Sequence, residues 1–291
     1  MTDTAAPTTA GVVLAYHAED DIRGNIAALL EQVDEVFVVD NSPDSAEDPV
    51  MASVREMDGV TVLAQGRNVG VASGFNAGMR AAMDAGHGFV WIFDQDSTVA
   101  PGMLDALIAA YSHAGDRAGV VGPALRSHAT GVVYRRESGT EPREVQTLIS
   151  SGSLFSRRVL DQIGLHDDEL FIDYVDHDIT LRARSYGLRN IKVYSTLLEH
   201  RFGDSNPAQI LGRRVYLAHY SPLRQYYMAR NRVILVRRFG IGRWLAEDLW
   251  FTAKSWVKVL LLERNRPAKV RASWRGLRDG FRYRVDGRRL P

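Results

Sequence analysis

Apolar and polar positions change period repeatedly along the first 125 residues. Short runs rich in β-branched and aromatic residues lie at 11–15, 35–40, 59–63, 89–94 and 118–125. Between them the apolar spacing turns helical over about 21–32, 72–85 and 101–114, the last opened by Pro101. Strand runs alternating with amphipathic helices predict an α/β domain, with a mostly parallel, doubly wound sheet covered by helices on both faces. A strand-like run at 191–198 continues the pattern, and from about residue 222 strand signals stop. The chain is therefore expected to divide into a disordered lead-in over 1–10, an α/β domain over 11–221 and a helical region over 222–291. There is no internal repeat.

Composition adds bounds. At 291 residues the chain can bury one large core plus an appendage, and 45% hydrophobic with 24% charged residues suits a folded protein. The absence of cysteine excludes disulfides, thiolate zinc sites and a cysteine nucleophile. The first ten residues hold no Lys, Arg or apolar run, so no signal peptide is expected there. No stretch reaches the roughly 18 apolar residues of a membrane span.

The net charge of +1 conceals an asymmetry. Residues 201–291 hold 21 Lys+Arg and 6 Asp+Glu, which leaves 15 and 29 for residues 1–200. Four of the five tryptophans, Trp244, Trp250, Trp256 and Trp274, lie in the basic part, where Lys254, Lys258, Arg264, Arg266 and Lys269 accompany an aromatic and aliphatic helix. Such a helix can lie in a membrane interface, its tryptophans at headgroup depth and its cations on anionic lipid. Packing on the α/β domain and a homo-oligomer interface are the alternatives. Nucleic acid is not expected, because the acidic first 200 residues would repel phosphate.

Candidate chemistry gathers where strands end. Asp94-Gln95-Asp96 follows the run 89–93, which puts two carboxylates at the carboxyl end of a strand, the edge where open α/β sheets bind ligands. Oxygen ligands there suit a hard divalent cation shared with substrate phosphates; a helix-capping turn is the alternative. Asp40-Asn41-Ser42 closes the second strand, where an Asp can accept from a ribose hydroxyl or a base imide, or can form an Asx-turn. In the loop 66–78, Arg67 offers a donor fork and Gly66, Gly70, Gly74 and Gly78 allow close backbone approach, with Gly74 and Gly78 also suited to packing a helix on the sheet. The spacing is neither GxGxxG nor a P-loop. Asp173, Asp176 and Asp178 crowd one helix start beside His177, more carboxylates than a cap requires; one of them is a natural general base. His200 ends the 191–198 run as a candidate cation ligand.

Taken in order, Asp40-Asn41-Ser42, Arg67-Asn68-Val69-Gly70, Asp94-Gln95-Asp96-Ser97, Gly152-Ser153, Asp176-His177-Asp178 and His200 resemble the family 2 inverting glycosyltransferases of the GT-A fold, over about residues 11–235. Phe93-Asp94-Gln95-Asp96-Ser97 and Leu170-Phe171-Ile172-Asp173-Tyr174-Val175-Asp176 are similar to bacterial rhamnosyltransferases of surface-polysaccharide synthesis. The resemblance implies that Tyr16, Asp40, Arg67, Asn68, Gly70, Asp94 and Gln95 bind a nucleotide sugar. It implies that Asp96 and His200 hold Mg²⁺ or Mn²⁺, and that Asp176 is the base. Val175 stands where many relatives have Glu, which leaves Asp178 as a second candidate. The implied donor is dTDP-L-rhamnose and the implied acceptor a glycan or polyprenyl-diphosphate-linked glycan. Arg224 and Arg230 are candidate acceptor contacts, and the implied location is the cytoplasmic face of the cell membrane. A galactofuranosyl or other hexosyl transferase using a UDP-sugar is the alternative donor class. A non-catalytic nucleotide-binding or membrane-scaffold protein is the alternative function.

Overall fold

In the computed structural model of the protein, which describes residues 7–43, 47–127, 139–200, 206–210, 213–217 and 219–285, the strands predicted from apolar runs build one sheet. In chain order the elements are β1 (Thr9–Ala15), α1 (Ile22–Leu30), β2 (Glu35–Asp40), α2 (Pro49–Arg55), β3 (Val60–Ala64), α3 (Gly70–Asp84), β4 (Phe89–Asp94), α4 (Met103–Ala114) and β5 (Ala118–Ser127). There follow β6 (Arg143–Val145), β7 (Ser153–Ser156), α5 (Arg157–Ile163), α6 (Val175–Ser185) and β8 (Arg189–His200). The sheet order is β3-β2-β1-β4-β7-β5-β8-β6. β1 begins at Thr9, inside the segment expected as a disordered lead-in; both Thr9 and Ala10 are buried beside β4.

Alternation along each strand explains the two cores. Val36 and Val38 of β2 and Trp91 and Phe93 of β4 point to the side covered by α1, α2 and α4. Phe37 and Val39, with Val90 and Ile92, point to the side covered by α3, α5 and α6. Glycines let α3 approach closely: a Cβ on Gly74 would lie 2.5 Å from Leu14 Cδ1, and one on Gly78 would overlap the side chain of Val12. The sheet is mixed. β7 runs antiparallel to both β4 and β5, and β6 antiparallel to β8. Since β7 reverses once on each side, β5 and β8 still run in the direction of β1, β2 and β4.

The chain forms two compact units, residues 1–171 with 175–200 and residues 172–174 with 201–291. The second contains the antiparallel hairpin β9 (Asn206–Ile210) and β10 (Arg213–Leu217), then α7 (Pro222–Phe239), α8 (Arg243–Leu262) and α9 (Arg266–Arg282). The boundary expected at 221 lies after that hairpin. Within this unit α7 and α9 pack closely because Gly276 and Gly280 face the backbone oxygens of Tyr226 and Arg230, where a Cβ would not fit. Glu263 and Lys269 form a buried ion pair at the turn into α9. No helix among the described residues is long and apolar enough to cross a membrane.

Candidate active site

Parallel pairing aligns the strand ends. Ala15 sits opposite Asp40 and Leu14 opposite Asp94, so Tyr16, Asp40 and the Asp94-Gln95-Asp96 turn share one edge of the first unit. Asp40 is fully buried; Oδ1 accepts from the backbone N–H of Ser42 at 3.1 Å. Its Oδ2 lies 3.9 Å from Arg55 and accepts no hydrogen bond among the described residues. Asn41 organises the next loop. Its Oδ1 accepts from Val69 N at 2.8 Å, and its Nδ2 donates to Asn68 Oδ1 and Gly70 O at 3.2 and 3.3 Å. This presents Arg67 and Asn68 on the surface, lining a cleft of about 430 Å³ with Ser73, Arg80 and Asp168.

Gly70 answers a specific demand. Its φ is +86°, and a Cβ there would meet the ring of Phe171 at 2.5 Å and its carbonyl oxygen at 2.8 Å. That carbonyl accepts from Val71 N and Ala72 N at 2.6 and 3.3 Å, the orphan donors of α3's first turn. The Arg67–Gly70 loop is thereby tied to the segment that leads into α6.

The carboxylate turn is stitched in place. Gln95 Oε1 accepts from Tyr16 N at 2.8 Å and Nε2 donates to Tyr16 O at 3.2 Å, so its amide is engaged with the end of β1. Ser151 donates or accepts at Ser97 Oγ and accepts from Asp94 N. Asn25 donates to Gln95 O and accepts from Thr98 at 2.6 Å. Thr98 bridges Glu199, which brings the end of β8, and with it the backbone of His200, beside this turn. The side chain of His200 lies outside the described residues. Asp94 and Asp96 are half-buried. No group of three or more His, Asp or Glu side chains converges as a metal cage among the described residues. A hard ion clamped between one or two carboxylates and a diphosphate needs no such cage, and the oxygen donors of Asp94 and Asp96 fit that role.

The two aspartates at the start of α6 have separate environments. Asp178 is 1% exposed and accepts from Arg182 Nη2 at 2.5 Å, while Arg182 Nη1 donates to the carbonyls of Ile163 and Leu165 at 2.8 Å. Asp176 is half-buried and accepts from His177 twice, backbone N at 2.7 Å and ring Nδ1 at 2.9 Å. Burial alone would push its carboxyl up; the charge and hydrogen bonds of His177 outweigh this and hold it below the usual value. His166, buried between Phe75 and Phe155, is lowered to about 4 by burial and by the Arg182 charge. Arg224 and Arg230 belong to the second unit. The fork of Arg224 engages Asp173, and Arg230 lies over the rings of Tyr227 and Tyr283. Sequence reading missed the organising roles of Asn25, Asn41 and Ser151. Only Asn41, beside a strand-end Asp, carried a local signal.

The chain is similar to known proteins in sequence and in fold. The dTDP-rhamnosyl transferase RfbF of Shigella flexneri is 27% identical over 96% of this chain and 97% of its own. The galactofuranosyltransferase GlfT1 of Mycobacterium tuberculosis is 27% identical over 81% of this chain and 84% of its own. The crystal structure of GalNAc-T7 with UDP, GalNAc and Mn²⁺ superposes with a TM-score of 0.60 at 15% identity, over 81% of this chain; the chain spans about half of that protein, 48%. The model of the glycosyl transferase family 2 matches residues 12–164. With that match spanning more than half of its length, the chain belongs to glycosyl transferase family 2.

Proposed function

We propose that the protein transfers L-rhamnose from dTDP-L-rhamnose, with inversion, to a hydroxyl of a glycan carried on a polyprenyl diphosphate. The observation that carries this reading is the division between the α6 carboxylates. Asp178 is closed off by Arg182, whereas Asp176 is 23% exposed and kept ionised by His177. An ionised, accessible carboxylate is what a general base requires. Asp176 removes the acceptor proton as that oxygen attacks the anomeric carbon; the bond from that carbon to the diphosphate oxygen breaks, and the nucleoside diphosphate leaves. Asp40 Oδ2, buried and available as an acceptor, suits the imide N–H of a thymine or uracil, and Arg67 and Asn68 suit the ribose and diphosphate. Gln95 acts by fixing the Tyr16 backbone at the base pocket. Asp96, with His200 and support from Asp94, would hold Mg²⁺ or Mn²⁺, which neutralises charge on the departing diphosphate.

RfbF, a dTDP-rhamnosyl transferase similar over nearly the whole chain, favours rhamnose; the galactofuranosyltransferase GlfT1 is why a UDP-galactofuranose donor is the second reading. The lipid-linked acceptor places the enzyme at the cytoplasmic face of the membrane. Calorimetry with dTDP-L-rhamnose and a panel of UDP-sugars, with and without Mn²⁺, tests the donor, and transfer to a synthetic prenyl-diphosphate-linked glycan tests the reaction. Tighter binding of a UDP-sugar would replace the donor assignment. Undiminished transfer by Asp176→Asn would remove the base.

A further inference from the structure

The segment entering α6 is held in a conformation that its residues do not favour. Phe171, Asp173 and Tyr174 have φ of 62°, 62° and 63°, and none is glycine. Left-handed backbone is costly for bulky residues and persists only where the surroundings impose it. A short loop of Gly and Asn could follow the same path at lower cost.

The residues Ile172–Tyr174 pack within the second unit, and each has its own restraint there. Asn231, fully buried on α7, donates through Nδ2 to Ile172 O and Asp173 O, both at 2.9 Å. Arg224, two turns earlier on the same helix, forks onto the Asp173 carboxylate: Nε reaches both oxygens at 3.1 Å and Nη2 reaches Oδ1 at 2.9 Å. The Tyr174 hydroxyl donates to Asp248 Oδ1 at 2.6 Å, and Arg232 Nε donates to Asp248 Oδ2 at 2.6 Å. Backbone, carboxylate and hydroxyl are thus all engaged over three consecutive residues. Only Val175, the first residue of α6, stands between Tyr174 and Asp176, so a change in the φ of Tyr174 is passed on to the start of that helix.

We infer that Arg224 and Asn231 are positioning residues for the transfer reaction: they hold Ile172–Tyr174, with its left-handed Asp173 and Tyr174, and thereby fix the backbone that presents Asp176. This rests on the reading of Asp176 as the base. It also gives Arg224 a task other than contact with the acceptor phosphate. Misplacing a reacting group by about 1 Å can cost on the order of a hundredfold in rate, so the latch acts on turnover and leaves donor binding alone.

The test uses the full chain, dTDP-L-rhamnose and the prenyl-diphosphate-linked glycan. Arg224→Ala is expected to lower kcat roughly ten- to a hundredfold, with the donor Kd unchanged by calorimetry. Arg224→Lys keeps the charge but not the fork, so it should recover only part of the loss. Asp173→Ala should match Arg224→Ala, and the double variant should be no worse than either. Combined with Asp176→Asn, Arg224→Ala should add no further loss, because the latch works through that base. Wild-type kcat in Arg224→Ala, or a raised acceptor KM with kcat intact, overturns the latch. Tyr174→Phe, which removes one hydroxyl from the network, gives the same kcat readout should Arg224→Ala fold poorly. If Asp176→Asn itself retains activity, the base assignment fails instead, so the two failures are distinct.

Discussion

Asp176 and Asp178 differ by one residue in sequence and by opposite consequences of substitution. Asp176→Asn removes the proposed base and should lower kcat by about 10²–10⁴-fold while thermal stability stays near that of the parent. Asp178→Asn strands the Arg182 guanidinium in a site 1% exposed, which should cost about 3–5 kcal/mol in urea unfolding. The pH dependence separates them further. Because His177 outweighs burial at Asp176, the carboxyl is held below its usual value, and the acid limb of kcat should lie lower than that of an ordinary carboxylate base. His177→Ala removes the ring and leaves more of the burial effect unopposed, so the acid limb of kcat should move to higher pH. A limb that stays put would show that His177 does not hold Asp176 ionised. His166 acts on stability. Its folded pKa of about 4 lies below the ordinary 6.5, so the unfolded chain binds more protons between those values. The stability it permits is complete above pH 6.5 and is lost as pH falls toward 4, by about 3 kcal/mol in all. Urea midpoints of the protein and of His166→Leu, compared at pH 7.5 and 4.5, check this: the variant should lose less on acidification.

Between elements, packing decides which glycines are replaceable. Gly78 of α3 faces the Val12 and Val39 side chains, so Gly78→Ala should push helix from sheet and destabilise by about 1–3 kcal/mol. Gly24 of α1 has nothing within 4 Å of a built Cβ, so Gly24→Ala should stabilise by about 0.5–1 kcal/mol. Thermal unfolding of both variants measures the contrast, and a shift in the same direction for both would refute the packing account. The same contrast separates what was legible in the sequence from what was not. β1, β2, β4 and β5 each bury a run of apolar residues on two faces, and that density announces a strand without help from neighbours. β6 and β7 have three and four residues, so their strand character comes from partners distant in sequence, and β9 and β10, five residues each, pair with one another. The candidate site divides likewise. Strand-end carboxylates are marked by where an apolar run stops. The hydrogen bonds from Asn25 and Ser151 that hold the Asp94–Thr98 turn span 54 to 73 residues, and no local pattern encodes them.

For the molecule as a whole, the decisive quantity is where charge and exposed apolar surface coincide. Residues 201–291 carry 21 of the 36 cations and 6 of the 35 acids. The outer face of α8, within that part, leaves Trp250 63%, Phe251 60%, Val257 52% and Leu261 57% exposed. Lys254 sits 4.6 and 5.0 Å from the ring centroids of Trp250 and Phe251, so cation and aromatic surface are presented together. Patches of this kind on a protein surface mark interaction sites, and a positive one is matched by anionic lipid. Self-association through the same face would oppose like charges. The full-length protein should therefore co-sediment with vesicles containing anionic lipid and much less with purely zwitterionic ones, and added salt should release it. Trp250→Ala with Phe251→Ala should weaken binding at every salt concentration, because apolar insertion is not screened. Lys254→Glu should weaken binding mainly at low salt and flatten the salt dependence. Equal binding to both vesicle types, or a stable dimer that the aromatic substitutions dissolve, would mean that the face meets something other than a lipid surface.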